Sequence, residues 1–122
     1  GNISQVAKIS ALCNVNLFIY SGNDDQVIPI LSLGGIGVIS GLSNIKPLET
    51  HNMVTSFFDG NLSASKNLQL GLLPLISALF CEVNPIPVKY ALNILGFDFG
   101  VPRLPLSELS SKNKLLLDNL LA

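Results

Sequence analysis

Apolar residues at positions 3, 6 and 9, continued by Leu12 and Cys13, fall on one side of a helix that Asn2 can cap. The period then changes. Val15-Asn16-Leu17-Phe18-Ile19-Tyr20 is β-branched and aromatic, bounded by Asn14 and by Ser21-Gly22, and predicts a strand. Because Leu17, Phe18 and Ile19 are consecutive, both faces of that strand are expected to be buried, as parallel strands require. A short helix over residues 25–33 follows, capped by Asn23 or Asp24 and kinked or shortened by Pro29, and residues 36–42 predict a second strand. Strand, helix and strand make a right-handed βαβ unit, so the fold class is α/β.

The second half reads as helices. Residues 44–58, entered through Lys46-Pro47 and closed by Asp59-Gly60, carry Val54, Phe57 and Phe58 on one side. Asn61 caps a longer helix whose apolar residues at 68, 72, 75, 76, 79 and 80 keep the helical period, with a bend expected at Pro74. Two prolines one residue apart, in Asn84-Pro85-Ile86-Pro87-Val88-Lys89, stiffen an elbow: Asn84 and Ile86 are expected to be extended, and Pro87 to open a helix that Gly96 stops. A loop over 97–105 leads to a final helix capped by Ser107 or Ser110. Two parallel strands cannot close a sheet or cover both of their faces.

Composition narrows the function classes. A hydrophobic share of 48% against 12% charged residues, over 122 residues, indicates a chain that buries much of its surface. A net charge of −1 and a single Arg103 leave no basic stripe for nucleic acid. Residues 70–81 form the longest apolar stretch, too short to span a bilayer and broken by Pro74 and Ser77. Cys13 and Cys81 are isolated, which excludes a C-x-x-C metal or redox site and fits reduced thiols in a cytoplasmic protein. The chain enters at once on a capped helix, with no methionine at its start, and reads as a piece of something longer.

Few residues suggest chemistry by themselves. Gly34, Gly35 and Gly37 precede a strand instead of opening a helix, and no Lys-Ser/Thr follows, so they mark a tight turn and not a phosphate loop. His51 has no carboxylate or cysteine near it in sequence. Lys8, Lys46, Lys66, Lys112 and Lys114 fall on polar helix faces, and Lys89 opens a helix. Gly22 by itself is a turn glycine.

Four motifs in order carry a resemblance. Cys81-Glu82-Val83 followed by NPIPVK resembles the E-P-N-P-I-P-V-K segment of the dihydrodipicolinate synthase family, with Val83 where the family usually has proline. Tyr20-Ser21-Gly22-Asn23-Asp24 looks like its S-G-D-D turn, residues 33–40 look like its L-G-G-x-G-V-I-S strand, and Arg103-Leu104-Pro105-Leu106 looks like its late R-L-P segment. These enzymes are aldolase-type lyases that condense pyruvate, held on a lysine as a Schiff base, with aspartate 4-semialdehyde on the way to diaminopimelate and lysine. Among sister pyruvate-dependent lyases, such as N-acetylneuraminate lyase, NPIPVK favours the synthase. A reading of a different class is a catalytically inert folding or association module.

The resemblance implies the C-terminal part of a (β/α)8 TIM barrel, with residues 1–60 supplying strands seven and eight and residues 61–122 a C-terminal helical extension. It implies that Gly22 and the carbonyl of Ile39 line the pyruvate pocket, and that Asn23 and Asp24 lie where the second substrate approaches, the family more often having aspartate at the position of Asn23. Gly1-Asn2 match the end of the family's K-E-A-[ST]-G-[ND] segment, so the Schiff-base lysine lies upstream of Gly1. No metal or cofactor is implied. A homo-oligomer, tetramer or dimer, is expected, with Ile3, Ser4 and Leu33 near a subunit contact.

Overall fold

The computed structural model describes residues 1–13 and 17–122. Helix α1, Ile3–Cys13, starts where Asn2 Oδ1 accepts the Gln5 N–H at 3.1 Å. Strand β1, Tyr20–Ser21, pairs in parallel with β2, Gly37–Val38, with Tyr20 opposite Gly37 and Ser21 opposite Val38. Between them lie a 3-10 turn over Asp24–Gln26 and helix α2, Val27–Ser32. Pro29 sits in the first turn of α2, where its missing N–H would have had no partner anyway. A second 3-10 turn, Leu42–Asn44, leads to α3, Pro47–Phe58. Helices α4, Leu62–Leu79, α5, Ile86–Ile94, and α6, Ser111–Leu121, complete the described chain.

The βαβ unit and the helical second half stand as expected, but both strands are shorter. Of the first strand expected over 15–20, residues 15 and 16 fall outside the described residues, and ladder pairing begins only at Tyr20. The expectation that both faces of this run are buried fails: Phe18 is 77% exposed, and Leu17 and Tyr20 are exposed too. A sheet of two strands offers no neighbour to cover them. The second strand ends after Val38, because Leu42 turns into a 3-10 helix whose start is held by a carboxylate described below.

The helices fix two cores. Val27 and Leu31 of α2 pack with Met53 of α3, and Leu68 of α4 closes over them. The larger cluster joins Leu75, Ile76 and Leu79 of α4 to Val88, Ala91 and Leu92 of α5, Leu117 of α6, Leu42 of the second 3-10 turn and Ile45 just after it. Asn61 caps α4 as expected, its Oδ1 accepting the Ala64 N–H at 3.2 Å, and the helix runs on through Pro74. Ile86 departs from expectation: it is the first residue of α5, not extended. Its N–H reaches the Val83 carbonyl at 2.9 Å and the Pro85 carbonyl accepts from Lys89 at 2.9 Å, so the helix starts one residue before Pro87, whose own lack of an N–H is harmless there.

Helix α6 is capped from outside. Glu82 Oε1 accepts the Ser110 hydroxyl at 2.6 Å, the Asn113 amide at 2.7 Å and the Ser110 N–H at 3.2 Å. These bonds, the Ser110 hydroxyl first and the Asn113 amide next, hold the Glu82 carboxyl below its ordinary value of 4.5. A carboxyl lowered by folding contributes stability above its unfolded value, and that contribution is lost as pH falls through the lower folded value. Thermal unfolding followed by circular dichroism should therefore fall off with acidification below about pH 4.5, and Glu82→Gln should flatten that part of the profile. An identical acid limb in the variant would remove Glu82 as its source.

Candidate active site

The C-terminal ends of β1 and β2 lie side by side, because the Ile39 N–H donates to the Ser21 carbonyl at 2.8 Å, one step beyond the ladder. Just past them Ser21, fully buried, folds the chain over: its hydroxyl donates to the Asn23 carbonyl at 2.8 Å and accepts the Asn23 N–H at 3.2 Å. Gly22 is thereby thrown outward. A Cβ built on it would meet nothing within 4 Å, and its φ lies outside the left-handed region, so no backbone strain demands glycine there.

Asn23 is exposed, whereas Asp24 turns inward and is only 2% exposed. Asp24 Oδ2 accepts two backbone N–H bonds, from Gly41 at 2.9 Å and Leu42 at 3.0 Å, which ties the β1 turn to the chain leaving β2. Among the described residues its Oδ1 is buried without a partner. Gly41 suits this crossing, since a Cβ would lie 3.0 Å from the Phe80 ring and 3.4 Å from Asp24 Oδ2. Gln69 of α4 completes it: Nε2 donates to the Asp24 carbonyl at 2.8 Å and Oε1 accepts the Ile28 N–H at 3.3 Å. Gly1 rests on the same turn, its carbonyl accepting from Gln26 Nε2 at 3.2 Å.

The four residues singled out from sequence, Gly22, Asn23, Asp24 and Ile39, are thus brought to one end of the sheet. Ile39 presents its side chain to solvent at 72% exposure. A cleft of about 170 Å³ opens beside Asn23 and Asp24, walled by Asp25, by Ile76 and Ser77 of α4, and by Phe80 just past its end. The sequence places Ser21 and Gly41 at the strand ends without indicating these bonds, and Gln69 is not singled out by it. Gln69 left one trace, since Ser65, Gln69, Leu72, Ile76 and Leu79 follow one helical stripe and the first two are polar where the stripe turns inward.

No lysine here resembles an activated amine. Lys8, Lys66 and Lys112 are exposed; Lys46 pairs with Glu49 at 3.8 Å; Lys89 Nζ donates to the Val101 carbonyl at 2.9 Å. The Glu108 carboxylate, 3.0 Å from Lys114 Nζ, pushes that ammonium up, opposite to what a nucleophilic lysine needs. Partial burial, with Glu82 next to it, raises the Cys81 thiol and so disfavours its thiolate. Among the described residues no three His, Cys, Asp or Glu side chains converge on a metal position. Among the described residues, no helix is long and apolar enough to cross a membrane.

Residues 1–122 match the Dihydrodipicolinate synthetase family throughout. A 4-hydroxy-tetrahydrodipicolinate synthase of Caldicellulosiruptor saccharolyticus is 59% identical over 117 residues, covering 96% of this chain and 39% of the relative. The enzyme of that name from Clostridium perfringens strain 13 is 53% identical over 118 residues, 97% of this chain and 40% of its own. Among solved structures, the dihydrodipicolinate synthase of Thermotoga maritima superposes with a TM-score of 0.92 at 41% identity, covering 98% of this chain and 42% of that one. The chain therefore spans about 40% of the length of the curated relatives it matches.

Proposed function

This chain belongs to the dihydrodipicolinate synthetase family, and from that premise we propose that it is the C-terminal portion of a 4-hydroxy-tetrahydrodipicolinate synthase, a lyase that condenses pyruvate with L-aspartate 4-semialdehyde in lysine biosynthesis. In this reading β1 and β2 are strands seven and eight of a (β/α)8 barrel, residues 1–60 complete the barrel and residues 61–122 form the helical extension. The protein is cytoplasmic and works as a homo-oligomer, a tetramer or a dimer. Ile3, Ser4 and Leu33 are assigned to one subunit contact; within the chain, the 2.7 Å bond from the Ser10 hydroxyl to the Leu33 carbonyl joins α1 to the end of α2. The names of the relatives favour the synthase over a sister lyase.

One observation carries the reading: the ends of two parallel strands converge on Gly22 and Ile39, and Gly1 is anchored to the same turn through Gln26. A lysine a few residues upstream of Gly1 would stand beside that turn. Its amine forms an imine with pyruvate and releases water; loss of a methyl proton gives the enamine, whose carbon attacks the aldehyde of the second substrate. Gly22 and the Ile39 carbonyl border the pyruvate. Asn23 faces the incoming semialdehyde, and Asp24 serves that approach by shaping the turn from within.

Pyruvate with borohydride tests this. The full-length protein should gain one reduced pyruvate adduct on a lysine upstream of Gly1, whereas residues 1–122 alone should keep their mass. An adduct on any of the six lysines of this chain would overturn the assignment.

A further inference from the structure

We infer that Gln69 of α4 is a positioning residue for the pyruvate pocket, acting through Asp24 to hold the ends of the two strands in register; the inference rests on the function proposed above. Gln69 is 5% exposed, and both ends of its amide are spent on one turn, the donor on the Asp24 carbonyl and the acceptor on the Ile28 N–H. Only one orientation of the amide satisfies both bonds. A buried amide costs free energy unless it is bonded, and this one supplies partners to two backbone groups that an apolar side chain of equal volume would leave unmet.

What the amide adds is a fixed position for the Asp24 backbone. From there the Asp24 carboxylate grips the N–H groups of Gly41 and Leu42, close along the chain to the Ile39 carbonyl. A run of bonds thus leads from α4 through Asp24 to the chain leaving β2, two residues past the Ile39 carbonyl that is proposed to border pyruvate. Ser65 supplies the comparison. It lies one turn earlier on the same helix, is fully buried, and donates to the Met53 carbonyl at 2.7 Å, a bond that ties α4 to α3 and leads nowhere near the strand ends.

Steady-state kinetics on the full-length protein separate the two roles. Gln69→Met should raise the KM for pyruvate about tenfold with kcat changed far less, because the displaced groups bind pyruvate before and during reaction alike. Ser65→Ala should lower the melting temperature while leaving both constants within about twofold. Should Gln69→Met not fold, Gln69→Glu, ionised, keeps an acceptor for the Ile28 N–H and sets a negative oxygen against the Asp24 carbonyl, with at least the same rise in KM expected. An unchanged KM in a folded Gln69 variant, or an equal rise in Ser65→Ala, would overturn the inference. A borohydride adduct missing from the unsubstituted protein would instead remove the reading beneath it, and the inference with it.

Discussion

Gly22→Val in the full-length protein is expected to lower kcat/KM for pyruvate about a hundredfold or more while leaving the melting temperature nearly unchanged. The separation of the two effects follows from the turn itself. A Cβ at Gly22 meets nothing within 4 Å and its φ is one that any residue adopts, so valine costs the fold little. What valine takes is the open space in front of the strand ends, where pyruvate is proposed to sit. Ile39→Val is the matching control, since its proposed contact runs through the carbonyl and its side chain is exposed. Kinetics with circular dichroism on both variants decide the matter: a fully active Gly22→Val enzyme takes this turn out of the site.

Asp24→Ala should be the most damaging substitution for stability in this region, costing on the order of 2–4 kcal/mol. Its side chain is the acceptor for the Gly41 and Leu42 N–H groups, and Leu42 is fully buried, so its N–H would lose its partner away from solvent. Turnover should fall as well, because the ends of β1 and β2 would no longer be tied. Asp24→Asn keeps one acceptor oxygen and should fall between the two. Denaturant unfolding measures the loss. Equal midpoints for Asp24→Ala and the unsubstituted protein would show that the two N–H groups find other partners.

Much of this was legible in the sequence where local chemistry decides structure. Asn2 and Asn61 cap α1 and α4, Pro47 opens α3, and the apolar stripe through Leu68, Leu72, Ile76 and Leu79 sets the buried face of α4. The strand lengths were not legible. Residues 36–42 read as a continuous strand, but the grip of Asp24 on Leu42, set by a partner many residues away, curls the end of that run into a 3-10 turn. Ile86 departs from the sequence reading because tertiary structure overrides a local bias: its N–H bonds to the Val83 carbonyl and its side chain is buried in the larger core, which holds it in the first turn of α5.

The candidate site was half legible. Motif resemblance found Gly22, Asn23, Asp24 and Ile39, and these do lie together. It could not tell that Asp24 points inward while Asn23 faces solvent, since that depends on Ser21 bonding back to Asn23. Gln69 was hidden by distance, being a polar residue on a helix otherwise read for its apolar period.

The two strands have a further property that bears on association. Sheets with open edges usually guard them with lysine, proline, bulges or charged inward residues, and neither the stretch 17–22 nor the stretch 33–42 contains a charged residue or a proline. Phe18, Tyr20, Ile36 and Ile39 are exposed beside edges that the two-stranded sheet leaves unpaired. A closed barrel has no edges and needs no such guards. On the proposed fold, protection against edge-to-edge pairing is delegated to ring closure, and opening that ring would turn these strands into a template for aggregation.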